Sequence, residues 1–293
     1  MPADSPVSSG RTVVVTDSTA SLPAEVAAEH GLLVVPLQVV IGAQVHDEGE
    51  HGATPDMVAA ALKSFTPVST SRPSPATMAA AYERAVADGA TSIVSVHISG
   101  DMSGTFESAQ LAAREASVPV IAVDSRQVGV ATGYAALAAA EVAAAGGSAE
   151  EVAEAARARA EASSSLFYVD TLEYLRRGGR IGAAAALLGG ALAVKPLLTI
   201  SDGRVESLER VRTSQRALAR LEELAAEAAG DQSVDVCVAH LASADRAAAL
   251  TDRLAERLAD QLEGRDVWCG ELGAVLGAHV GPGMLAVCVA PRP

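Results

Sequence analysis

The sequence predicts an α/β fold of two units, and three observations carry that prediction. Short β-branched runs alternate with alanine-rich stretches of helical length, most of those runs are apolar throughout, and the chain is 49% hydrophobic but only 3% aromatic. Apolar strands each followed by a helix are the pattern of a parallel sheet covered on both faces. A core with so few aromatics must be built from Ala, Val and Leu, which suits helices pressed closely on a sheet. At 293 residues the chain is long enough for two domains of roughly 100–200 residues. The expected division is a flexible N-terminus over 1–10, an N-terminal α/β domain over 11–160 and a C-terminal α/β domain over 161–293.

The elements follow in order. Thr12–Thr16 reads as a strand, with a turn at Asp17–Ala20 and a helix from Leu22 that has Ser21 as its cap. Leu32–Ile41 is a second extended run. Thr54-Pro55-Asp56 and Ser74-Pro75 each place a hydroxyl cap before a first-turn proline, opening helices to Lys63 and Ala87. Ile93–Ile98 and Val118–Val123 are strands, with helices over Phe106–Glu115 and Val130–Ala145. Gly146-Gly147 breaks the chain, and Ser148-x-x-Glu151 is a capping box for a helix to Ala162. Beyond it come a strand at Leu166–Asp170, a basic glycine-rich stretch at Glu173–Gly182, and two extended runs, Ala193–Ile200 and Arg204–Val211. Asp202-Gly203 between those runs signals a hairpin. Helices at Ser214–Ala229 and Ala244–Leu262 then alternate with strands at Val234–His240, Asp266–Glu271 and Met284–Ala290.

Charge and cysteine content narrow the function. With 22 Lys+Arg against 36 Asp+Glu, the net charge of −14 argues against nucleic-acid binding and against standing attachment to an anionic membrane. Cys237, Cys269 and Cys288 are odd in number and far apart in sequence, so neither a disulfide framework nor a thiolate metal site is expected. The first ten residues hold no apolar run, and Ile181–Val194 is too short to span a bilayer, which reads as a cytoplasmic protein.

In an open α/β sheet ligands sit beyond the carboxyl ends of strands. Three hydroxyl-rich segments follow strands: Thr16–Thr19, Ser99–Thr105 and Asp124-Ser125. A fourth, Thr70–Ser74, leads into a helix. Hydroxyls beside helix-start amides suit an anionic oxygen, although the same residues also cap helices and make turns. Leu175–Gly182 sets three arginines within eight residues, a pattern that recognises carboxylate or phosphate or else forms local ion pairs. His279 lies in Gly277–Gly283, expected as a tight glycine loop aimed at a ligand. His46–His51 resembles a metal cluster but reads better as a solvated acidic loop. Ser103, Asp170 and His279 occur in the chain order of a hydrolase triad, although Gly100–Gly104 is not G-x-S-x-G.

Together these segments resemble the DegV family of bacterial fatty-acid-binding proteins. The resemblance rests on Thr16–Thr19, Thr70–Ser74, Ser103–Phe106, Val123–Ser125, Leu175–Ile181, Lys195-Pro196 and His279-x-Gly281-Pro282-Gly283. It implies a two-domain fold with a long-chain fatty acid held between the domains. It also implies a non-catalytic role: the binding subunit of a fatty acid kinase, whose separate ATP-dependent subunit converts the carboxylate to an acyl phosphate. Carried over by motif, Thr70, Ser103 and His279 would bond the carboxylate and Arg180 would supply charge, with Ser71, Gly104 and Thr105 in support. Ala183–Val194 is apolar and small-sided, which suits either ordinary tight packing or a tunnel wall. On the tunnel reading Ile181, Ala186, Leu187 and Leu188 would line it, and no cofactor beyond the bound fatty acid is implied. Arg72 stands where the family usually has Gln. The chain has no G-x-x-x-x-G-K-[ST] loop for ATP and only two lysines, Lys63 and Lys195, so the phosphoryl donor would come from a partner. Arg210 and Arg212 are the expected partner contacts. The competing readings are an acyl-ester or thioester hydrolase using Ser103 and His279, and a lipid-responsive interaction protein without a kinase.

Overall fold

The computed structural model describes residues 10–49, 51–187 and 195–292. Four parallel strands form the first sheet, in the order Leu33–Val35, Thr12–Asp17, Ser92–His97, Val120–Asp124. Its central strands are apolar on both faces because both faces are covered. Val13, Val15 and Ile93 pack against helices Pro75–Ala87 and Thr105–Ala113. Val14, Val94 and Val96 pack against helices Val130–Ala144 and Ala149–Ala162. That second helix pair meets through Ala135, Ala136, Ala139, Ala153 and Ala156, all fully buried, so alanine here allows close helix approach. Ser148 and Glu151 form the capping box reciprocally.

Six strands form the second sheet, in the order Arg204–Val211, Lys195–Ser201, Ser164–Tyr168, Leu285–Pro291, Val234–His240, Trp268–Glu271. All neighbours are antiparallel except the last pair. Helices Ser214–Ala229 and Ala244–Arg257 bury one face. The other face looks toward the first lobe. The register sets Cys237 opposite Cys288, both buried and both free thiols.

The run Leu32–Ile41 is not one strand. Pro36, which has no amide hydrogen to give a ladder, separates Leu33–Val35 from Gln38–Ile41. Gln38–Ile41 is the centre of a third, antiparallel sheet, flanked by Gln44–Asp47 and Val68–Ser71. The expected solvated loop at His46–His51 is therefore partly strand, and Glu48 turns its carboxylate inward. The expected glycine loop at Gly277–Gly283 is also corrected. Ala274–Val280 is a helix whose Ala274, Val275 and Ala278 pack on the small sheet with Val39, Val58 and Leu62. The left-handed turn begins only at Gly281, φ +75°. Thus the small sheet, from residues 38–71, shares its core with a helix near the C-terminus.

A buried polar chain ends the central strands. Asp17 accepts from the Thr19 and Ile98 amides at 3.0 and 3.2 Å and pairs with His97 Nδ1 at 2.9 Å. His97 Nε2 meets Ser95 Oγ, which accepts from the Tyr82 hydroxyl. Asp17, Ser95 and His97 are fully buried, so the Thr16–Thr19 segment organises the fold and is not open to a ligand. Likewise Asp124 accepts from the Gly100 and Arg126 amides, and buried Ser125 pairs with Thr132. Removing the Asp17 carboxylate strands several buried donors. Asp17→Ala is therefore predicted to lower stability by about 3–5 kcal/mol, read as a shift of the urea midpoint.

Candidate functional site

A cavity of about 450 Å³ lies between the two lobes and the small sheet, within the range of small-molecule sites. Its body is apolar, with Ile98, Phe167, Ile200, Leu272 and Met284 among its walls. Its polar residues come from several separate elements, with Ser165 on the strand Ser164–Tyr168 and Arg72 just after Val68–Ser71 among them. Thr70 and Ser71 end the strand Val68–Ser71, and Ser103 and Gly104 precede the helix Thr105–Ala113. His279 sits in the last turn of Ala274–Val280. Arg180 follows helix Glu173–Arg177 through Gly178-Gly179, where Gly179 takes φ +71°.

His279 Nε2 lies 2.9 Å from Thr70 Oγ1, joining residues 209 apart in the chain. Its Nδ1 is buried without a partner and packs against Gly178, where a Cβ would approach it to 2.2 Å. Burial, with the Arg180 charge adding to it, lowers the imidazole from 6.5 to about 4, so it is neutral at pH 7. The tautomer that leaves no buried N–H orphaned carries its proton on Nε2. Nε2–H then donates to Thr70 Oγ1, leaving the Thr70 hydroxyl proton available to the cavity.

Arg180 donates from Nε to the Met102 carbonyl at 3.0 Å and from Nη1 to the Gly178 carbonyl at 2.6 Å. Among the described residues Nη2 has no partner. Arg176 and Arg177 instead both bind Glu173, so two of the three clustered arginines form local ion pairs. Ser103 Oγ accepts from the Thr105 amide and pairs with Thr105 Oγ1 at 2.8 Å. Thr105 is buried behind Ser103 and does not itself line the cavity. Arg72 does line it, donating to the Gly104 carbonyl and to Glu107 at 2.5 Å. A Cβ on Gly104 would lie 2.1 Å from that guanidinium, so a larger residue there would displace the half-exposed arginine.

The hydrolase triad is not assembled. Ser103 is bonded to Thr105 and His279 to Thr70, while Asp170 binds the Tyr168 hydroxyl and Lys195. Among the described residues no group of three or more His, Cys, Asp or Glu could hold a metal ion, and no helix is long and apolar enough to cross a membrane.

The expected tunnel residues lie elsewhere. Gly182–Leu187 is a short 3-10 turn laid against the strand Arg204–Val211, so close that a Cβ on Gly182 would meet the Val205 carbonyl at 2.3 Å. Small side chains there serve that approach. Ala186 is exposed, Leu187 is buried in the core, and Ile181 packs against the same core without lining the cavity. Leu188 lies outside the described residues. The walls come instead from the inward face of the six-stranded sheet, through Phe167, Cys237, Ala239, Ala286 and Cys288. Arg210 and Arg212 are exposed, at the edge strand Arg204–Val211 and just beyond it, and form no ion pair among the described residues.

His279 makes stability depend on pH. Its folded value lies below 6.5, so the unfolded chain takes up the proton first. The contribution is intact above pH 6.5 and is lost progressively as pH falls toward 4, by up to about 3 kcal/mol. Urea melts of the ligand-free protein across that window should show a steeper loss for the wild type than for His279→Gln.

Three comparisons with known proteins agree with this architecture. A family model described as "Uncharacterised protein, DegV family" matches residues 11–292. The DegV domain-containing protein SCO2569 of Streptomyces coelicolor is 53% identical over 279 residues, covering 95% of this chain and 98% of that protein. A Thermus thermophilus DegV family protein, described for its fatty acid binding, superposes with a TM-score of 0.89 at 34% identity, covering 96% of this chain and 100% of that one. DegV of Bacillus subtilis, described as a fatty acid binding protein, gives 0.88 at 30% identity, covering 97% and 100%. Matched from residue 11 to residue 292, and sharing more than half its aligned residues with one such relative, the chain belongs to the DegV family.

Proposed function

We propose that the protein binds a long-chain fatty acid in the interlobe cavity, its carboxylate at Thr70, Ser103 and Arg180 and its tail along the inward face of the six-stranded sheet. The observation that carries this reading is the cavity's polarity: an apolar body with hydroxyls, one imidazole and two arginines among its lining. Of these, Arg72 is paired with Glu107, and Arg180 contacts only backbone carbonyls among the described residues. Relatives at 30–34% identity are described as fatty acid binding. Burying each methylene contributes about 0.8 kcal/mol, so a sixteen-carbon chain offers roughly 12 kcal/mol before ordering costs. The tail supplies affinity, and the polar groups set orientation and offset desolvation of the carboxylate.

In this reading the protein presents the carboxylate to a separate ATP-dependent kinase subunit that forms an acyl phosphate, and it is not catalytic alone. The family resemblance and the absence of a P-loop motif in the sequence support that role. Exposed Arg210 and Arg212 are the proposed docking contacts. With an acidic kinase surface, their reversal to glutamate should slow phosphoryl transfer in a reconstituted assay and leave fatty acid binding unchanged.

Solvent extraction and mass spectrometry of the purified protein should recover an acyl chain, and added fatty acid should bind to delipidated protein. Absence of both overturns the reading. Arg180→Ala and Ser103→Ala should each weaken fatty acid binding by about 1–3 kcal/mol. Ala286→Phe, which fills the sheet-side wall, should instead shift preference toward shorter chains.

A further inference from the structure

Helix Ala274–Val280 is gripped by the small sheet at both ends. At its last turn His279 meets Thr70, from the edge strand Val68–Ser71. At its first turn the Val275 amide donates to Glu48 Oε1 at 2.8 Å, across 227 residues. Glu48 immediately follows Gln44–Asp47, the opposite edge strand of the same sheet. Val275 and His279 are four residues apart, about one helical turn, so the two grips are about 6 Å apart along the helix axis. The helix is only seven residues long and has no side-chain cap of its own. Glu48 therefore supplies from outside the partner that such a helix start lacks.

The seat for the carboxylate is closely fitted. A Cβ on Gly273 would lie 2.5 Å from Glu48 Oε1, so residue 273 is glycine where the carboxylate takes the side chain's space. The other oxygen, Oε2, is buried without a hydrogen-bond partner. Burying a carboxylate oxygen in this way is unfavourable, and the bond that Oε1 accepts from the Val275 amide offsets part of that cost.

We propose that Glu48 is a positioning residue for the polar end of the cavity: by holding the start of helix Ala274–Val280 it fixes the His279 imidazole against Thr70, and so aims the Thr70 hydroxyl at the bound carboxylate. The proposal rests on the reading of the cavity as a fatty acid site. Glutamine keeps an acceptor oxygen for the Val275 amide, whereas alanine leaves that amide unpaired and lets the helix shift.

The test compares wild type, Glu48→Gln and Glu48→Ala in two measurements. The first needs no ligand: the NMR titration of His279. Its value should stay near 4 in the wild type and Glu48→Gln, and move up toward 6.5 in Glu48→Ala as the ring loosens into water. The second is binding of palmitate and of methyl palmitate, which lacks the ionised head group. Glu48→Ala should lose about tenfold in palmitate affinity and at most threefold for the ester, with Glu48→Gln within twofold of wild type for both. An unmoved His279 titration in Glu48→Ala, an equal loss for acid and ester, or a Glu48→Gln variant as impaired as Glu48→Ala would each overturn the proposal. If Glu48→Ala does not fold, Gly273→Ala displaces the carboxylate while retaining it, and the same shift of His279 is required. Failure of the wild type to bind palmitate would refute the fatty acid reading, and the His279 titration would still decide the role of Glu48.

Discussion

An unfilled apolar space inside a protein forfeits contacts on every side, and surrounding side chains close over it unless something fixes its walls. Here polar bonds around the rim hold the walls apart. Ser99 donates to the Gly203 carbonyl, Asp101 pairs with Arg204, and Arg126 pairs with Asp202, together pinning the Asp202-Gly203 hairpin to the first lobe. Arg180 reaches the Met102 carbonyl, Thr70 meets His279, and Gln127 bridges to Ser165. These contacts are directional, so they set a distance that apolar packing alone would minimise. The cavity is in this sense a property of the seam.

The same seam explains why the polar residues of the site are scattered along the chain. Thr70 and Ser103 come from the first half, and Arg180 and His279 from the second. The small sheet carries residues from the first half onto a helix of the second, so relative movement of the lobes alters the head-group geometry directly. With His279 neutral and Arg72 paired with Glu107, Arg180 is the lining cation that has no carboxylate partner among the described residues, and the hydroxyls do the orienting. This division suits an elongated apolar ligand with one ionised end, because the cation need not be matched along the tail.

Much of this was legible in the sequence where the signal was local. Caps such as Thr54 and Ser74, the Ser148–Glu151 box and the Asp202-Gly203 turn depend on neighbouring residues, and those elements lie close to where they are expected. What failed depended on partners far away. Leu32–Ile41 looks continuous until Pro36 is seen to route it into two sheets. Glu48 looks like one acid among several in a polar loop, and only a helix start 227 residues later gives it a role. Ala274–Val280 was hidden by its glycines, since Gly273 and Gly277 are small to admit Glu48 and Leu241. The cavity walls were illegible for the same reason: which strand residues face inward is set by register between strands, as with Cys237 opposite Cys288.

That pair of thiols has one more consequence. Burial pushes Cys288 up to about 12 and Cys237 well above its ordinary value, so at neutral pH both present S–H rather than thiolate to the cavity. Cys269, one strand away, is exposed. Alkylating reagents should therefore label Cys269 promptly and spare the other two while the lobes stay together. The chain thus carries its own gauge of breathing at the seam, with an internal standard on the outside and two silent sensors within.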